Sequence, residues 1–289
     1  MTDWFRENLH VTVTQSFART NTVYEGDTDF QRVEIFDNEV LGRVMALDGI
    51  VQTTEKDEFI YHEMLVHVPA FSHGDMRNVL IVGGGDGGAL REVLRHPVER
   101  VTVVDIDGQV IDLSKKFMPG LSAGGFEDAR ANVIVGDGVK FVNETDERFD
   151  VVIIDSTDPV GPGEGLFTRE FYQRCAAILA ARGVVITQNG VPFLQSDELR
   201  RTSQRFAGVF QHFGFYVIAV STYYGGFMAL GWGSNGLDIS RPLTPEVSRR
   251  IDAAGLQTRY YNSAIHHGAF ALPQYIRALI DAESATLTL

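Results

Sequence analysis

The chain has 289 residues, enough for one large domain or for a domain with a small companion, each around a sizeable core. Its 38 Asp and Glu against 25 Lys and Arg leave a formal charge of −13, a field that repels nucleic acid and anionic lipid and gathers small cations. A single cysteine, Cys175, excludes an internal disulfide framework, and no apolar stretch approaches the roughly 18 residues that cross a bilayer, so a soluble, cytoplasmic protein without a leader segment is expected.

Up to about residue 55 the signals are short and strand-like. QRVEIFDNEVLGRVMALDGIVQT (31–53) alternates apolar and polar residues around Asp37-Asn38 and Asp48-Gly49, two expected hairpin turns. An amphipathic helix is expected in DEFIYHEMLVHVPAF (57–71), where Phe59, Ile60, Met64, Leu65 and Val68 recur at helical spacing and Pro69 stands near the end. This predicts a small antiparallel β domain over 1–56, a connecting helix and linker over 57–76, and a catalytic domain over 77–289. From Arg77 the strand-like runs NVLIVGG, RVTVVDID, ANVIVGD, FDVVIID and GVVITQNG alternate with helical ALREVLRH, GQVIDLSKKF and TREFYQRCAAILA. That is the pattern of consecutive right-handed βαβ units on a parallel sheet. Cys175, inside the last of these helices, reads as a small core residue. FYVIAVSTYYGGFMALGWGS then sets two apolar runs around Tyr223-Tyr224-Gly225-Gly226, as in a hairpin. A closing antiparallel strand turns the expectation from a nicotinamide-type domain to an α/β, methyltransferase-like Rossmann-type fold.

The chemistry gathers at the strand tips. Gly83-Gly84-Gly85-Asp86-Gly87-Gly88 satisfies G-x-G-x-x-G between a strand and a helix, and Asp105 ends the next strand where a ribose-binding carboxylate belongs. A dinucleotide would lay its pyrophosphate on the helix N-terminus, but Asp86 stands there and repels phosphate. A ligand with a cation near the glycines fits better; S-adenosylmethionine carries an ammonium and a carboxylate, whereas its decarboxylated form keeps the ammonium alone. Asp86 is equally well explained as a helix cap. At the third tip, Asp137 suits the amino group of an adenine that Gly138 lets approach, or a plain turn. Residues 151–167, VVIIDSTDPVGPGEGLF, carry Asp155 and Asp158 past the end of a buried strand into a loop of Pro and Gly, the place where open α/β sheets bind ligands. The pair suits a diamine, or a base with an anchor, better than a divalent metal, because no further ligand type clusters nearby and Cys and His show no metal-ligand spacing.

LGRVMALDGIVQTTEKDEFIYHEM, VLIVGGGDGGALREV, DSTDPVGPGEGLF, TYYGG and AIHHGAFALPQY, in that order, resemble the spermidine synthases, the polyamine aminopropyltransferases, from about Trp4 to Tyr275. The resemblance implies transfer of an aminopropyl group from decarboxylated S-adenosylmethionine, a co-substrate rather than a resident cofactor, to putrescine, giving spermidine and methylthioadenosine without a metal. It implies Asp155 as proton acceptor and Tyr61 as the residue that positions the attacking nitrogen. Gln31, Asp105, Asp137, Gly138 and Pro162, with Gly83 and Gly85 of the glycine loop, would contact the nucleoside. His62, Asp86, Asp158, Ser156 and Thr157 would face the amine or the aminopropyl chain, with Gln52, Gln188, Tyr223 and Trp4 as further members of the amine site. A homodimer or homotetramer with small-molecule partners is implied. Two positions depart from many relatives: Asp105 stands where Glu is common, and Gly165 where Ser is. By pattern alone, Tyr61 and His62 read as core or interface residues. The rival readings are another amine acceptor (cadaverine, agmatine or spermidine), a polyamine- or nucleoside-binding protein without catalysis, and an S-adenosylmethionine-dependent methyltransferase. The last would need a cation for the amino-acid carboxylate, and GGGDGG holds no Arg or Lys.

Overall fold

The computed structural model describes residues 3–157, 161–241 and 245–281, the side chains of 161 and 162 excepted. Strands β1 (Asp3–Arg6) and β2 (Ser16–Arg19) form an antiparallel ribbon, and β3 (Asn21–Asp27), β4 (Arg32–Asn38), β5 (Gly42–Leu47) and β6 (Ile50–Thr54) form an antiparallel meander in sequence order. Both faces of the meander are used. Val33, Ile35, Met45 and Leu47 pack on Val110, Met118 and Leu121 of the following domain, while Phe36, Val44, Ala46 and Val51 pack on Phe5 and Phe17 of the ribbon. Strict alternation along β4 and β5 makes that division possible. The Asp48-Gly49 turn is as expected, with φ of 50° and 78°, the two positive values a two-residue primed turn needs. The other turn lies beyond Asp37-Asn38: pairing runs on to Asn38↔Gly42, and Asn38 Oδ1 closes the loop by accepting the N–H groups of Val40 and Leu41, each at 3.0 Å.

Helix α1 (Glu58–His73) is where the amphipathic expectation fails. Its polar residues Glu58, His62, Glu63, His67 and His73 are as buried as its apolar ones. One side packs on the central sheet and α2, and the outer side is covered by the C-terminal segment, where Glu63 accepts the N–H groups of Arg259, Tyr260 and Tyr261 at 2.7–2.8 Å. Those polar side chains are internal hydrogen-bonding hubs. Pro69 does not end the helix, which continues to His73 and stops at a left-handed Gly74.

The central sheet holds β7 (Asn78–Gly83), β8 (Arg100–Asp105), β9 (Ala131–Val135), β10 (Phe149–Asp155), β11 (Leu179–Gln188), β12 (His212–Ile218) and β13 (Met228–Ser234) in the order β12-β13-β11-β10-β7-β8-β9. Helices α2 (Gly88–Leu94), α3 (Gly108–Phe117), the short α4 (Pro119–Ser122), α5 (Gly138–Glu144), α6 (Arg169–Ala177) and α7 (Ser196–Ala207) connect the strands, with a 3-10 segment, Gly161–Phe167, before α6. Helices α8 (Pro245–Ala254), α9 (Ser263–Gly268) and α10 (Gln274–Ile280) follow β13. The sheet is parallel from β9 to β11, as the alternation of strand and helix predicts, and Val79–Val82 and Val151–Ile154 are buried on both faces. The antiparallel strand β13 is present, yet it lies between β11 and β12 rather than at the edge. All seven of its residues are buried, the composition of an interior strand, whereas β12 begins with three partly exposed ones. Cys175 is buried in the core with Phe171 and Tyr172, and burial pushes its thiol pKa up, away from reactivity. Among the described residues no helix is long and apolar enough to cross a membrane.

Strand order reverses between β7, which leads out to β8 and β9, and β10, which leads the other way. In such sheets that crevice is where ligands bind.

Candidate active site

A cavity of about 220 Å3 opens over the carboxyl ends of β7, β8, β9 and β10, and the N-terminal strands wall its other side. Its two ends differ in character.

At one end Asp105 closes β8. Burial raises its pKa to about 6, against the N–H of Asp107, which it accepts at 2.8 Å. Gly85 lies against it; a Cβ there would fall 2.8 Å from Asp105 Oδ2. Asp107 caps α3 and its other oxygen takes the Gln31 amide (3.0 Å) and the Thr28 hydroxyl (2.6 Å), so Gln31 is fixed at the cleft by a bond between the two sheets. Asp137 caps α5, accepting from Val139 and Lys140 through Oδ1, and both Asp137 and Gly138 line the cavity. The turn and the cleft readings of Asp137 therefore hold together.

At the centre the backbone brings β7 and β10 into contact beyond their last pair. The Gly84 N–H donates to the Asp155 carbonyl at 2.8 Å, and a Cβ on Gly83 would fall 2.1 Å from that oxygen, so only glycine fits. Asp86 divides its two oxygens: Oδ1 accepts the N–H of Gly88 at 2.8 Å, and Oδ2 stands 3.4 Å from His62 Nε2. From the position before the Gly87 N-cap it holds the first N–H of α2, and it lines the cleft at the same time. Tyr61 Oη donates to Asp155 Oδ1 at 2.8 Å. Burial, helped by Asp155, holds the Tyr61 hydroxyl well above its usual pKa, so it remains a proton donor. Burial works against charge on His62, but Asp86 and Glu58, the latter 2.7 Å from Nδ1, outweigh it and raise its pKa well above 6.5. Asp86 in turn is held below the usual carboxylate range by His62 despite its burial. Burial first and Asp86 second raise Asp155 to about 6, with His62 and Tyr61 pulling the other way. One nitrogen and two carboxylate oxygens of His62, Asp86 and Asp155 lie within 4.8 Å of one another, a nest of net negative charge.

At the other end Tyr223 donates to the Gln52 carbonyl at 2.5 Å, with its ring edge-on to Tyr61 at 6.1 Å. Gln188 bonds the Thr157 carbonyl (3.2 Å) and the Gly190 N–H (2.9 Å), and Ser156 bonds Thr157. All of these line the cavity. Trp4 does not: Phe5 beside it points into the core, so alternation along β1 turns Trp4 outward, 53% exposed. Asp158 and the side chain of Pro162 lie outside the described residues.

Sequence reasoning missed Glu7, which is buried at the cleft wall and accepts from Val51 (2.9 Å) and Gln15 (3.1 Å); a lone acid after a short strand carries no signal. The apolar walls Ile106, Val110 and Leu166 were also missed. Glu58 was missed as well, although its place four residues before His62 on one helix is a signal that could have found it.

Residues 58–241 match the family model described as the spermine/spermidine synthase domain, and residues 3–55 match the spermidine synthase tetramerisation domain. Polyamine aminopropyltransferase 1 of Pseudomonas aeruginosa is 52% identical over 280 residues, covering 96% of this chain and 98% of the relative. The polyamine aminopropyltransferase of Sodalis glossinidius is 50% identical over 279 residues, covering 96% and 97%. A spermidine synthase solved in complex with the transition-state analogue AdoDATO superposes with a TM-score of 0.92 at 39% identity, covering 96% of this chain and 94% of that one. The Thermotoga maritima spermidine synthase gives 0.90 at 38% identity, with the same coverage. Glycine loop, paired strand tips and full-length likeness thus converge, and the chain belongs to the spermine/spermidine synthase family, as an aminopropyltransferase.

Proposed function

We propose that this enzyme moves the aminopropyl group of decarboxylated S-adenosylmethionine to putrescine, with Asp155 as proton acceptor, releasing spermidine and methylthioadenosine. The observation that carries this reading is the half-buried Asp155, oriented by Tyr61 and set beside Asp86 at the crevice where the strand order reverses.

An alkyl ammonium with a lysine-like pKa sits roughly 3.4 units above pH 7, so freeing one amine lone pair costs about 4.6 kcal/mol. The donor's sulfonium lowers that cost, because a second positive charge near the attacking nitrogen disfavours its protonated form. Asp155, with its pKa raised to about 6, is ionised at neutral pH yet more basic than a free carboxylate, a suitable acceptor for the departing proton. Tyr61 holds Oδ1, which leaves Oδ2 for the amine. The nitrogen then attacks the carbon attached to sulfur, the C–S bond breaks, and a neutral thioether leaves. Holding nitrogen, carbon and sulfur in line replaces a bimolecular encounter. Asp86 would receive the donor's ammonium unopposed by a carboxylate, Asp105 the ribose hydroxyls, and Asp137 with Gly138 the adenine.

A homodimer or homotetramer is part of the proposal, supported by the match of residues 3–55 to a tetramerisation domain, and the cytoplasm is its proposed place of action. The test is incubation with decarboxylated S-adenosylmethionine and putrescine, cadaverine, agmatine or spermidine, following methylthioadenosine release and product mass. Putrescine should give the highest kcat/KM; preference for another amine replaces the acceptor, and no release with any of them removes the reading.

A further inference from the structure

A line of buried charges leaves the cleft and enters the contact between α1 and α2. Asp86 faces His62, and His62 bonds Glu58. Glu58 accepts both terminal nitrogens of Arg91, at 2.9 and 3.1 Å, and Arg91 Nε reaches Glu92 at 2.8 Å. Arg91 Nη1 also donates to the Leu121 carbonyl at 2.7 Å, so one guanidinium joins the first turn of α1, helix α2 and the end of α4. Beyond it Glu92 is shared between Arg95 (2.6 Å) and His67 (3.0 Å). The sign of charge alternates from Asp86 through His62, Glu58 and Arg91 to Glu92. Neither Glu58 nor Arg91 lines the cavity.

We propose that Arg91 is a positioning residue for aminopropyl transfer: its two-pronged grip on Glu58 fixes the His62 ring against Asp86 and, on the same helical turn, Tyr61 against Asp155. The inference rests on the reading of the cleft given above. Geometry supports a functional role because the His62 ring occupies the space over Gly88, where a Cβ would fall 2.2 Å from the imidazole, so the ring has little room to settle elsewhere. A planar guanidinium suits the task, since it matches a carboxylate at two points and keeps its charge when buried.

Charge follows position. His62 is faced by Glu58 from α1, by Asp86 from the glycine loop and by Asp155 from β10; Glu58 is faced by His62 and Arg91; Arg91 is faced by Glu58 and Glu92. With Arg91 replaced by a neutral side chain the line loses a cation, so His62 keeps its charge to higher pH, whereas with Glu58 replaced His62 loses an anion that keeps it charged. With the Arg91 cation gone, Asp155 at the end of the same line takes up its proton at higher pH.

The test compares Arg91→Met, Arg91→Lys and Glu58→Gln with the unaltered full-length enzyme. In Arg91→Met, kcat should fall about 10- to 100-fold, as for a displaced reacting group, while the Kd for methylthioadenosine stays unchanged. The acid limb of kcat/KM should move to higher pH, and Arg91→Lys should recover part of both effects. Nitrogen-15 histidine NMR should show His62 losing its proton at lower pH in Glu58→Gln and at higher pH in Arg91→Met. An Arg91→Met enzyme with a lowered Tm but an unmoved His62 titration and acid limb would show Arg91 to be structural alone. Should Arg91→Met not fold, Glu58→Gln decides, and an unchanged His62 titration there overturns the proposal. The NMR arm needs no turnover, so it stands even where the assay with amines fails and the functional reading falls by itself.

Discussion

Tyr61 and Asp155 lie 94 residues apart in the chain, yet the hydroxyl of one donates to the carboxylate of the other at 2.8 Å. The bond occupies one carboxylate oxygen of a residue that lines the cleft. Asp155→Asn keeps an acceptor for Tyr61 but cannot take a proton, so turnover should fall about 10²- to 10⁴-fold. Single-turnover release of methylthioadenosine reads the loss, and equilibrium binding of methylthioadenosine should be unaltered. A variant with normal rates would remove Asp155 from the role of acceptor.

The pH profile carries a second expectation. Asp155 must be ionised to accept a proton, and burial beside Asp86 sets its pKa at about 6. In kcat/KM, which reports the free enzyme, the acid limb should therefore bend near 6 instead of near 4. The Tyr61 hydrogen bond favours the ionised form, so Tyr61→Phe should push that bend to higher pH and lower the rate at neutrality. An acid limb at the same pH in both enzymes would contradict the coupling.

Asp86 has one oxygen on the Gly88 N–H and the other toward His62 and the cleft. Asp86→Asn keeps a capping oxygen and deletes the charge. The donor, with its ammonium, should bind roughly tenfold or more weakly, while methylthioadenosine, which has none, should bind almost as before. Equal losses for the two would reduce Asp86 to its cap.

Behind α1, burial and the neighbouring His67 depress the pKa of His96 to about 3. The unfolded chain then binds the proton first, so the stabilising contribution of neutral His96 is complete above about 6.5 and shrinks as pH falls, by roughly 2 kcal/mol between pH 7 and 5. Asp105 and Asp155, raised to about 6 in the fold, act in the opposite sense over that range. The slope for the whole protein is accordingly a poor test, and the difference between two proteins is a good one. His96→Gln should lose less Tm than the unaltered protein on going from pH 7 to 5.

The sheet and its tips were readable because their rules are local. Gly83 to Gly88, Asp105, Asp137 and Asp155 each stand just at or past the end of a strand, and a parallel sheet gathers such ends into one crevice. The failures share a cause too. Polar residues along 58–73 mimic a solvent face when their partners are distant in the chain, as Glu63 shows, whose partners Arg259–Tyr261 lie some two hundred positions away. The insertion of β13 between β11 and β12 is settled by burial on both faces, which periodicity does not encode. Trp4 followed from likeness alone, and the one-residue parity of β1 turned it outward. Arg91 gave no signal, since its partner on α1 is 33 residues away.

Gly83 and Asp155 are register partners on neighbouring parallel strands. Their separation is therefore a sheet spacing, ~4.8 Å, fixed by the backbone ladder and indifferent to most side-chain change. Part of the cavity wall comes from outside this ladder, from Glu7, Leu9 and His10 after β1 and from Thr222, Tyr223 and Tyr224. Under the proposed reaction the sheet is a jig for the bond being made, and those flanking segments are a gauge for the length of the molecule admitted.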